Sequence, residues 1–363
     1  MFKKAFLSIH LCIFAYKLKI MIEKIISQDC IDAVEKIISE KRCFVVLSHK
    51  NPDGDALGSS LALFHYLKAR GKEVAVVLPN LFPEFLAWMP GAEEVLLYDR
   101  DTEKANEVIG AADAFFCLDF NALDRIGDVA SAVSKSDAPK VLVDHHLFPS
   151  DEFAVEMSFP EACSTSELVF RLITMLSGNC AVTFDMAQCI YTGMMTDTGA
   201  FAYASSRKDI FLIVAALLET GIDKDVVYRK VFYSSSITRM KLQGYAMYKK
   251  LKVYSKYNVA LITLSHEELQ RFYAVKGDTE GLVNQPLQIK GIRFSCFLRE
   301  EYPGKINVSL RSVDDFPCNE VAAEFFNGGG HKNASGGELH CSMNEAVALF
   351  NRAIKRFEKQ LTV

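Results

Sequence analysis

Three short apolar runs in the first half of the chain each end on aspartate or histidine. The runs read CFVVLSH at 43–49, AFFCLD at 114–119 and KVLVDHH at 140–146. Uninterrupted apolar runs of this length are typical of parallel strands that are buried on both faces. Leucine and phenylalanine at helical spacing over 57–71 follow the first run, so strands and helices alternate. The pattern therefore predicts an α/β fold built on a doubly wound parallel sheet.

Candidate ligands for divalent cations lie at the ends of these runs. Parallel strands bring their carboxyl ends to one edge of the sheet, where open α/β sheets carry their active sites. Two histidines and four aspartates are expected at that edge or at loop and helix ends near it: His49, Asp53, Asp55, Asp119, His145 and Asp197. Oxygen and imidazole donors without a thiolate disfavour a structural zinc site. They suit two Mn²⁺ or Mg²⁺ ions that share a bridging carboxylate.

Each candidate ligand also has a purely structural interpretation. Turns such as Asp53-Gly54-Asp55 are common in solvated loops, and Asp119 could cap the helix predicted near 122–134. His145 and His146 are adjacent at a predicted strand end, where neighbouring side chains point in opposite directions. One of them is therefore expected to face a metal and the other a substrate.

The pattern changes after a mostly helical stretch at 164–252. From Val253 the chain reads as strands at 253–264, 293–299 and 306–311, a helix near 319–326, a glycine-rich turn at 328–337 and a final helix at 344–361. A length of 363 residues is sufficient for two domains of ordinary size. We expect a tail at 1–24, a catalytic domain at 25–235, a linker helix at 236–254 and a smaller α/β domain at 255–363. The active site is expected in the cleft between the two domains.

The two halves of the chain carry opposite net charge. Residues 1–235 hold 23 basic and 32 acidic side chains, a formal charge of -9, whereas residues 236–363 hold 18 and 13, a charge of +5. An acidic half can hold cations and a basic half can hold phosphates, although drift in surface composition is the alternative. The overall charge of -4 argues against a protein that coats long duplex nucleic acid by bulk attraction.

Cysteine spacing and the amino-terminal segment bear on location. The ten cysteines form no Cys-x-x-Cys pair, so buried free thiols in a reducing cytoplasm are expected. Lys3 and Lys4 precede an apolar stretch that ends at Tyr16. That stretch is similar to a signal peptide, but it lacks a small-residue cleavage site and is too short to span a bilayer comfortably. We expect a tail outside the fold, or an over-extended start before Met21, and no membrane attachment.

These motifs and their order resemble a known family. His49-x-Asn51-Pro52-Asp53-x-Asp55, then Asp119, Asp144-His145-His146 and Asp197, resemble the four motifs of the DHH phosphoesterases. The segment GGHKNASG at 329–336 resembles the glycine-histidine motif of the associated DHHA1 domain. The resemblance covers nearly all of the chain from about Ile25. The length and two-domain layout are most similar to the nanoRNase and pAp-phosphatase branch, and less similar to RecJ-type exonucleases, which carry additional domains.

The resemblance implies two cation sites that share one ligand. His49 and Asp53 would hold one ion, Asp55, His145 and Asp197 would hold the other, and Asp119 would bridge them. Mn²⁺ is the expected ion, with Mg²⁺ or Co²⁺ as alternatives. A hydroxide between the ions would attack phosphorus in line, without a covalent enzyme intermediate.

Two further residues of the same motif have implied catalytic roles. His146 would contact the scissile phosphate or assist the leaving oxygen. Asp144 would orient a neighbouring histidine rather than bind metal.

The glycine-rich segment of the second half has its own implied role in binding phosphate. Gly328, Gly329 and Gly330 would let backbone N–H groups approach a phosphate, and His331 and Lys332 would add donors and charge. Arg311, at the end of a predicted strand, is a candidate fork for a terminal phosphate, with a surface ion pair as the alternative. One departure from the family pattern precedes this segment, because Asn327 stands where many relatives have a further glycine.

The expected activity is a metal-dependent phosphohydrolase for small substrates. It would trim short oligoribonucleotides from an end and remove a phosphate from 3′,5′-bisphosphonucleotides such as pAp. Alternatives are hydrolysis of a cyclic dinucleotide or its linear product, hydrolysis of polyphosphate or pyrophosphate, and a non-catalytic nucleotide-binding module. A homodimer is a further expectation, made by analogy alone.

Overall fold

The computed structural model describes residues 22–178, 181–275 and 277–362. Within these ranges the chain forms two compact units, one ending at Ser234 and the other beginning at Ser235. The apolar stretch predicted to be a tail or an over-extended start lies outside the described residues.

Six parallel strands form the sheet of the first unit, in the order β3-β2-β1-β4-β5-β6. The strands are β1 Cys43–Leu47, β2 Glu73–Leu78, β3 Leu96–Leu97, β4 Ala114–Leu118, β5 Lys140–Asp144 and β6 Val155–Ser158. The order runs outward from β1 in one direction through β3, and from β4 in the other through β6. This arrangement confirms the predicted doubly wound sheet. The strand order reverses between β1 and β4, which is the topological switch point of the sheet.

Helices cover both faces of this sheet. They are α1 Gln28–Glu40, α2 Gly54–Ala69, α3 Thr102–Gly110, α4 Val129–Val133, α5 Thr165–Ser177, α6 Phe184–Asp197, α7 Lys208–Glu219 and α8 Lys224–Phe232. Alternate residues of β1 enter two separate cores. Phe44 and Val46 pack with residues of α1, α2, α5 and α6, whereas Val45 and Leu47 pack with residues of α3 and α4. Burial on both sides explains the uninterrupted apolar runs in the sequence.

Helices α2 and α6 lie unusually close together because glycines line their contact. A Cβ atom on Gly58 would lie 2.6 Å from the carbonyl oxygen of Cys189, and one on Gly54 would lie within 2.6 Å of a methyl carbon of Thr196. A Cβ on Gly193 would overlap the hydroxyl of Ser166 at the start of α5. The three helices therefore meet at a distance that no larger residue allows at these positions.

The second unit is built on a mixed six-stranded sheet, in the order β11-β12-β10-β9-β8-β7. Its strands are β7 Lys252–Tyr254, β8 Val259–Leu264, β9 Phe294–Tyr302, β10 Lys305–Ser312, β11 Gly329–His331 and β12 Ala334–His340. Its helices are α9 Ile237–Tyr245, α10 His266–Arg271, α11 Cys318–Phe325, α12 Met343–Arg356 and α13 Glu358–Leu361. Only β8 and β9 pair in parallel; the other neighbours are antiparallel. This confirms the predicted smaller α/β domain.

Several local expectations differ from the structure. The segment predicted as one helix near 122–134 is a 3₁₀ turn at Leu123–Ile126 followed by the short α4, because Gly127 at φ 58° interrupts the helical path. The linker helix predicted for 236–254 ends at Lys250, and its last residues form β7. Leu242 and Ala246 of that helical segment pack in a core with Ile262 of β8, so the segment belongs to the second unit.

The glycine-rich segment predicted as a turn at 328–337 is instead a hairpin of β11 and β12. Within the described ranges, no helix combines the length and apolar character needed to cross a membrane.

Candidate metal centre

The sheet of the first unit brings the predicted ligands together at its carboxyl edge. His49 lies two residues beyond β1, Asp119 directly follows β4, and Asp144 is the last residue of β5. These three strands are neighbours in the order β1-β4-β5, so the site lies where the direction of winding reverses. The loop after His49 leads into α2, where Asp53 is the amino-terminal cap and Asp55 is the second residue of the helix.

One group of potential ligands consists of His49, Asp53 and Asp119. One ligand atom from each lies within 4.8 Å of the others. The Nε2 of His49 is 3.4 Å from Asp119 Oδ2 and 4.0 Å from Asp53 Oδ1. The Nδ1 of His49 lies 3.0 Å from the carbonyl oxygen of Lys50, which directs Nε2 toward the carboxylates. Asp53 also accepts hydrogen bonds from the backbone N–H groups at the start of α2, which hold it in place.

A second group consists of Asp55, His145 and Asp197. The Nε2 of His145 is 3.5 Å from Asp197 Oδ2 and 3.9 Å from Asp55 Oδ2. Its Nδ1 lies 3.2 Å from the carbonyl oxygen of Ala162, so this ring also presents Nε2 to the carboxylates. Asp197 is the last residue of α6. The negative end of the helix dipole disfavours a carboxylate there, and a nearby cation offsets that effect.

Asp119 lies between the two groups. Its Oδ2 faces His49 at 3.4 Å, and its Oδ1 faces His145 at 3.5 Å. The residue has a φ of 66°, in the left-handed region that non-glycine residues seldom occupy. Backbone strain of this kind is concentrated at functional sites, where the surrounding structure holds it. Because the chain turns sharply at Asp119, its carboxylate lies among the ligands instead of capping a following helix.

His145 and His146 do not point in opposite directions as predicted. Their rings lie edge to face with centroids 5.0 Å apart, and His146 Nδ1 is 3.9 Å from the same Asp119 oxygen that faces His145. The prediction was wrong because β5 ends at Asp144, so strand alternation does not apply to the two histidines.

Asp144 holds His146 through two contacts. Its Oδ1 lies 2.7 Å from His146 Nδ1, and its Oδ2 accepts from the backbone N–H of His146 at 3.1 Å. Asp144 is fully buried. Asp119, Asp144 and His146 also form a third group whose ligand atoms lie within 4.8 Å of one another.

The charges of this site shift the pKa values of its histidines upward. Burial lowers the pKa of His49, but the carboxylates of Asp119 and Asp53 outweigh burial and raise it to about 9. The same balance, with Asp119, Asp197 and Asp55 as the acidic neighbours, holds the pKa of His145 well above its usual value. Both imidazole rings therefore favour the protonated, positively charged form, because each lies close to more than one carboxylate.

The carboxylates shift in opposite directions. Burial and the neighbouring charges of Asp119 and Asp197 raise the pKa of Asp55 well above its usual value. Desolvation, together with the charges of Asp53 and Asp119, raises the pKa of Asp197 to about 6. Burial acts on Asp119 as well, but hydrogen bonds from His145 and His49 hold its pKa well below the usual range. The buried site thus favours the ionised form of Asp119 over the ionised forms of Asp55 and Asp197.

The donor set fits divalent cations. The side chains of Asp55 and Asp119 are only 1% and 3% exposed, and their ion pairs are with histidine. A buried carboxylate is unfavourable unless it is paired with a positive charge or binds a metal. Carboxylate oxygens and imidazole nitrogens are the ligands that Mn²⁺ and Mg²⁺ accept. Six residues in two groups with a shared Asp119 can therefore hold two such ions.

Sequence reasoning missed the residues that hold the carboxylates. The backbone N–H groups of Thr165 and Ser166 donate to Asp55 at 2.6 and 2.9 Å, and the hydroxyl of Thr165 donates to Asp119 Oδ1 at 3.0 Å. Asn80, two residues beyond β2, exchanges two hydrogen bonds with Asn51 in the loop that carries Asp53. A Ser-Thr-Ser run before an apolar helix was the available sequence signal, since it marks a helix start.

The predicted phosphate-binding residues lie together in the second unit. Arg311 of β10 is paired with Ala334 of β12, and the ladder continues to β11, which consists of Gly329–His331. Lys332 follows in the turn of the hairpin, and its Nζ lies 2.9 Å from Asp315 Oδ1. The carboxylate of Asp315 therefore partly neutralises the positive charge of Lys332, which was predicted to attract a phosphate.

The glycines of this hairpin allow two strands to approach closely. A Cβ on Gly328 would overlap the carbonyl oxygen of Gly336, and one on Gly330 would lie 2.7 Å from the carbonyl oxygen of Ala334. Asn327 has a φ of 50°, a conformation that glycine adopts freely and asparagine tolerates. The departure from the family pattern at Asn327 is therefore compatible with the local backbone. Phosphate binding by Gly328, Gly329, Gly330 and His331 stays a prediction.

Two family models match this chain. The model described as the DHH family, N-terminal domain, matches residues 43–194, and the model of the DHHA1 domain matches residues 256–360. The first match contains seven of the eight histidines and aspartates described above for the first unit. Asp197 lies three residues beyond its end.

Characterised and solved relatives match over most of their length. The chain is 27% identical over 319 residues to the bifunctional oligoribonuclease and PAP phosphatase NrnA of Thermus thermophilus, covering 87% of this chain and 90% of that protein. It is 26% identical over 316 residues to the protein of the same name from Bacillus subtilis, covering 86% and 93%. A crystal structure of an exopolyphosphatase-related protein from Bacteroides fragilis is 50% identical, with a TM-score of 0.90, covering 94% of this chain and 100% of that one.

Proposed function

The chain belongs to the DHH phosphoesterase family and carries a DHHA1 domain, and we propose that it hydrolyses phosphate esters of small nucleotides. Its substrates are short oligoribonucleotides, cleaved from an end, and 3′,5′-bisphosphonucleotides such as pAp, which lose a phosphate. We assign metal binding and catalysis to residues 25–235 and substrate binding to residues 255–363. We place the reaction in the cytoplasm, where the eight free cysteines of the described residues stay reduced.

The observation that carries this proposal is the pair of ligand groups joined at Asp119. His49 and Asp53 form one side, and Asp55, His145 and Asp197 form the other. Two divalent cations there would supply a hydroxide nucleophile and neutralise charge on the phosphate. Mn²⁺ is the ion we propose, since mixed imidazole and carboxylate ligands suit it.

The side chain of His146 serves the leaving group in this proposal. Its Nδ1 is held by buried Asp144 at 2.7 Å, so contact with substrate is made through Nε2. Hydrolysis breaks the bond between phosphorus and the ester oxygen, and that oxygen must gain a proton as it leaves. A histidine oriented by a carboxylate can donate this proton. Asp144 thus acts through His146 and stays outside the cation sites.

Binding of a terminal phosphate belongs to the second unit in this proposal. Arg311 and His331 lie on strands of one sheet, and residues 236–363 carry a net charge of +5. Recognition of one terminal phosphate suits short substrates, because it uses few contacts and needs no long basic surface. The names of the Thermus thermophilus and Bacillus subtilis relatives include both activities, which supports the same choice of substrates.

A substrate panel tests the proposal. Metal-free protein is supplied with Mn²⁺ and offered pAp, the dinucleotide pApA, cyclic di-AMP or polyphosphate, and the products are separated by chromatography. We expect AMP and inorganic phosphate from pAp, and AMP from pApA, at rates well above those for the other two compounds. The proposal is contradicted if pAp releases no phosphate and pApA releases no AMP.

The polyphosphate arm tests a second candidate function. The Bacteroides fragilis relative, which is 50% identical, is described as exopolyphosphatase-related. The same two ligand groups suit hydrolysis of a phosphoanhydride, because the cations contact phosphate rather than the nucleoside. Rapid shortening of polyphosphate together with slow turnover of pAp and pApA would favour this second function.

A further inference from the structure

The amino-terminal turn of helix α5 contacts a carboxylate from each ligand group. Thr165 donates from its backbone N–H to Asp55 Oδ2 at 2.6 Å and from its hydroxyl to Asp119 Oδ1 at 3.0 Å. The next residue, Ser166, donates its backbone N–H to Asp55 Oδ1 at 2.9 Å. Asp55 belongs to the group with His145 and Asp197, whereas Asp119 belongs to the group with His49 and also faces His145 at 3.5 Å. A single residue therefore connects the two carboxylates.

These backbone donors are available because they lie at the start of a helix. The first N–H groups of an α-helix have no partner within the helix. Ser164 caps α5 by accepting from the N–H of Glu167, which leaves the N–H groups of Thr165 and Ser166 for Asp55. The positive end of the helix dipole adds to the attraction of this carboxylate.

The start of α5 is itself fixed by a buried ionic network. Glu167 is fully buried and accepts from the backbone N–H of Cys163 at 2.8 Å. Arg171 and Arg207 each contact the Glu167 carboxylate at 2.7 Å. These ion pairs tie the helix end that contacts Asp55 and Asp119 to Arg207 at the start of α7.

The hydroxyl of Thr165 differs from other threonine hydroxyls in the helices of this unit. Those of Thr174, Thr192 and Thr196 donate to backbone carbonyl oxygens one turn earlier, at 3.0, 2.7 and 2.9 Å. The Thr165 hydroxyl crosses to a side chain from another strand end and meets Asp119 on the oxygen that faces His145. A donor in that position fixes the plane of the carboxylate, and hence the direction of its second oxygen toward His49.

We propose that Thr165 is a positioning residue that sets the separation and orientation of Asp55 and Asp119, and so makes the two cation sites form as one unit. The inference rests on the metal centre of the proposed function, but not on the choice of substrate. Residues that orient metal ligands typically change metal affinity by about 10- to 100-fold when they are replaced.

Metal binding measured by calorimetry tests this role. Thr165→Val keeps the shape of the side chain and removes the hydroxyl, whereas Thr165→Ser keeps the hydroxyl. Thr174→Val is the matched control, because it removes a buried hydroxyl from the same helix without touching a ligand. Mn²⁺ is titrated into each metal-free protein. We expect Thr165→Val to bind Mn²⁺ about 10- to 100-fold more weakly, and Thr165→Ser and Thr174→Val to bind like the wild type.

Several results would overturn the proposal. One is an unchanged Mn²⁺ affinity in Thr165→Val, and another is an equal loss in Thr174→Val, which would indicate general destabilisation. Circular dichroism establishes that each variant is folded before titration. If Thr165→Val is unfolded, Thr165→Ala takes its place with the same expected loss of affinity. Wild-type protein that binds Mn²⁺ but hydrolyses no substrate would refute the proposed function and leave this inference to be decided by the titrations.

Discussion

Asp119 combines burial and an uncommon backbone conformation with two histidine neighbours. It is almost fully buried, its backbone is in a left-handed conformation, and its two oxygens face His49 and His145. These conditions are unfavourable for an isolated carboxylate, and they are compensated by positive charge on either side. The role of shared ligand that we propose for Asp119 leads to the first prediction.

Replacement of Asp119 by Asn is expected to weaken Mn²⁺ binding by at least about 100-fold, beyond the usual effect of residues that only orient ligands. The amide keeps the shape of the side chain and removes the charge that both sites share. Hydrolysis of pAp should fall with metal occupancy. Calorimetry with Mn²⁺ and phosphate release from pAp measure the two effects. Asp124→Asn, at an exposed position of the same loop region, is the control. Near-normal turnover in Asp119→Asn would remove the bridging assignment.

At the scale of elements, the site depends on how closely α2, α5 and α6 approach one another. Asp55 lies in α2, Asp197 ends α6, and the donors to Asp55 begin α5. Glycines at the contacts of these helices set the distances between those residues. Close helix approach is therefore part of the metal centre as well as of the core.

The substitution Gly58→Ala tests the importance of this close approach. The added Cβ would lie 2.6 Å from the carbonyl oxygen of Cys189, so α6 must shift. Overpacking of this kind destabilises by about 1–3 kcal/mol. Gly110→Ala, at the last residue of α3, meets open space and is expected to stabilise by roughly 0.4–1 kcal/mol, because alanine has less conformational entropy than glycine in the unfolded chain. Urea unfolding of both variants measures the difference, and equal effects would contradict the packing argument.

The ionic network at the start of α5 predicts a pH dependence of stability. Burial raises the pKa of Glu167, but the charge of Arg171, the N–H of Cys163 and the charge of Arg207 lower it below 4.5 overall. A carboxyl whose pKa is lower in the folded state stabilises the protein fully above its unfolded pKa. That stabilisation is lost as pH falls through the folded value.

Glu167→Gln should therefore destabilise the protein at pH 7 by about 3 kcal/mol, because it removes the carboxylate that pairs with Arg207 and leaves Arg171 with the carboxylate of Asp209. The difference from the wild type should shrink as the pH falls below about 4.5. Urea midpoints at pH 7 and at pH 4 or lower measure it. A difference that stays constant, or that grows toward acid, would contradict the assigned ionisation of Glu167.

The extent of sequence-based prediction also differs between elements. The strands β1, β4 and β5 were predictable because apolar runs buried on both faces leave a clear pattern, and His49 and Asp119 follow directly from where those runs end. The contacts of Thr165 were not predictable, since they join residues 110 and 46 positions apart in the chain. The predicted orientation of His145 and His146 was wrong because the alternation of side chains along a strand was assumed to continue past Asp144, where β5 ends.

At the scale of the whole molecule, the chain carries two units of different charge and different sheet type. The order of the motifs was sufficient to predict both α/β units, and the family models match each of them. The glycine-rich hairpin of β11 and β12 was mistaken for a turn, because glycine content alone does not separate a loop from two strands in close contact. The formal charges of -9 and +5 agree with the proposed division between cation binding and phosphate binding.

We propose that the centre around Asp119 hydrolyses phosphate esters with two bound cations. The most direct measurement is phosphate release from pAp as Mn²⁺ is added stepwise to metal-free protein at a concentration far above the dissociation constants. We expect no turnover without metal, and a rate that rises with added Mn²⁺ and levels off at two Mn²⁺ per chain. Turnover by the metal-free protein, or a plateau at one Mn²⁺ per chain, would contradict it.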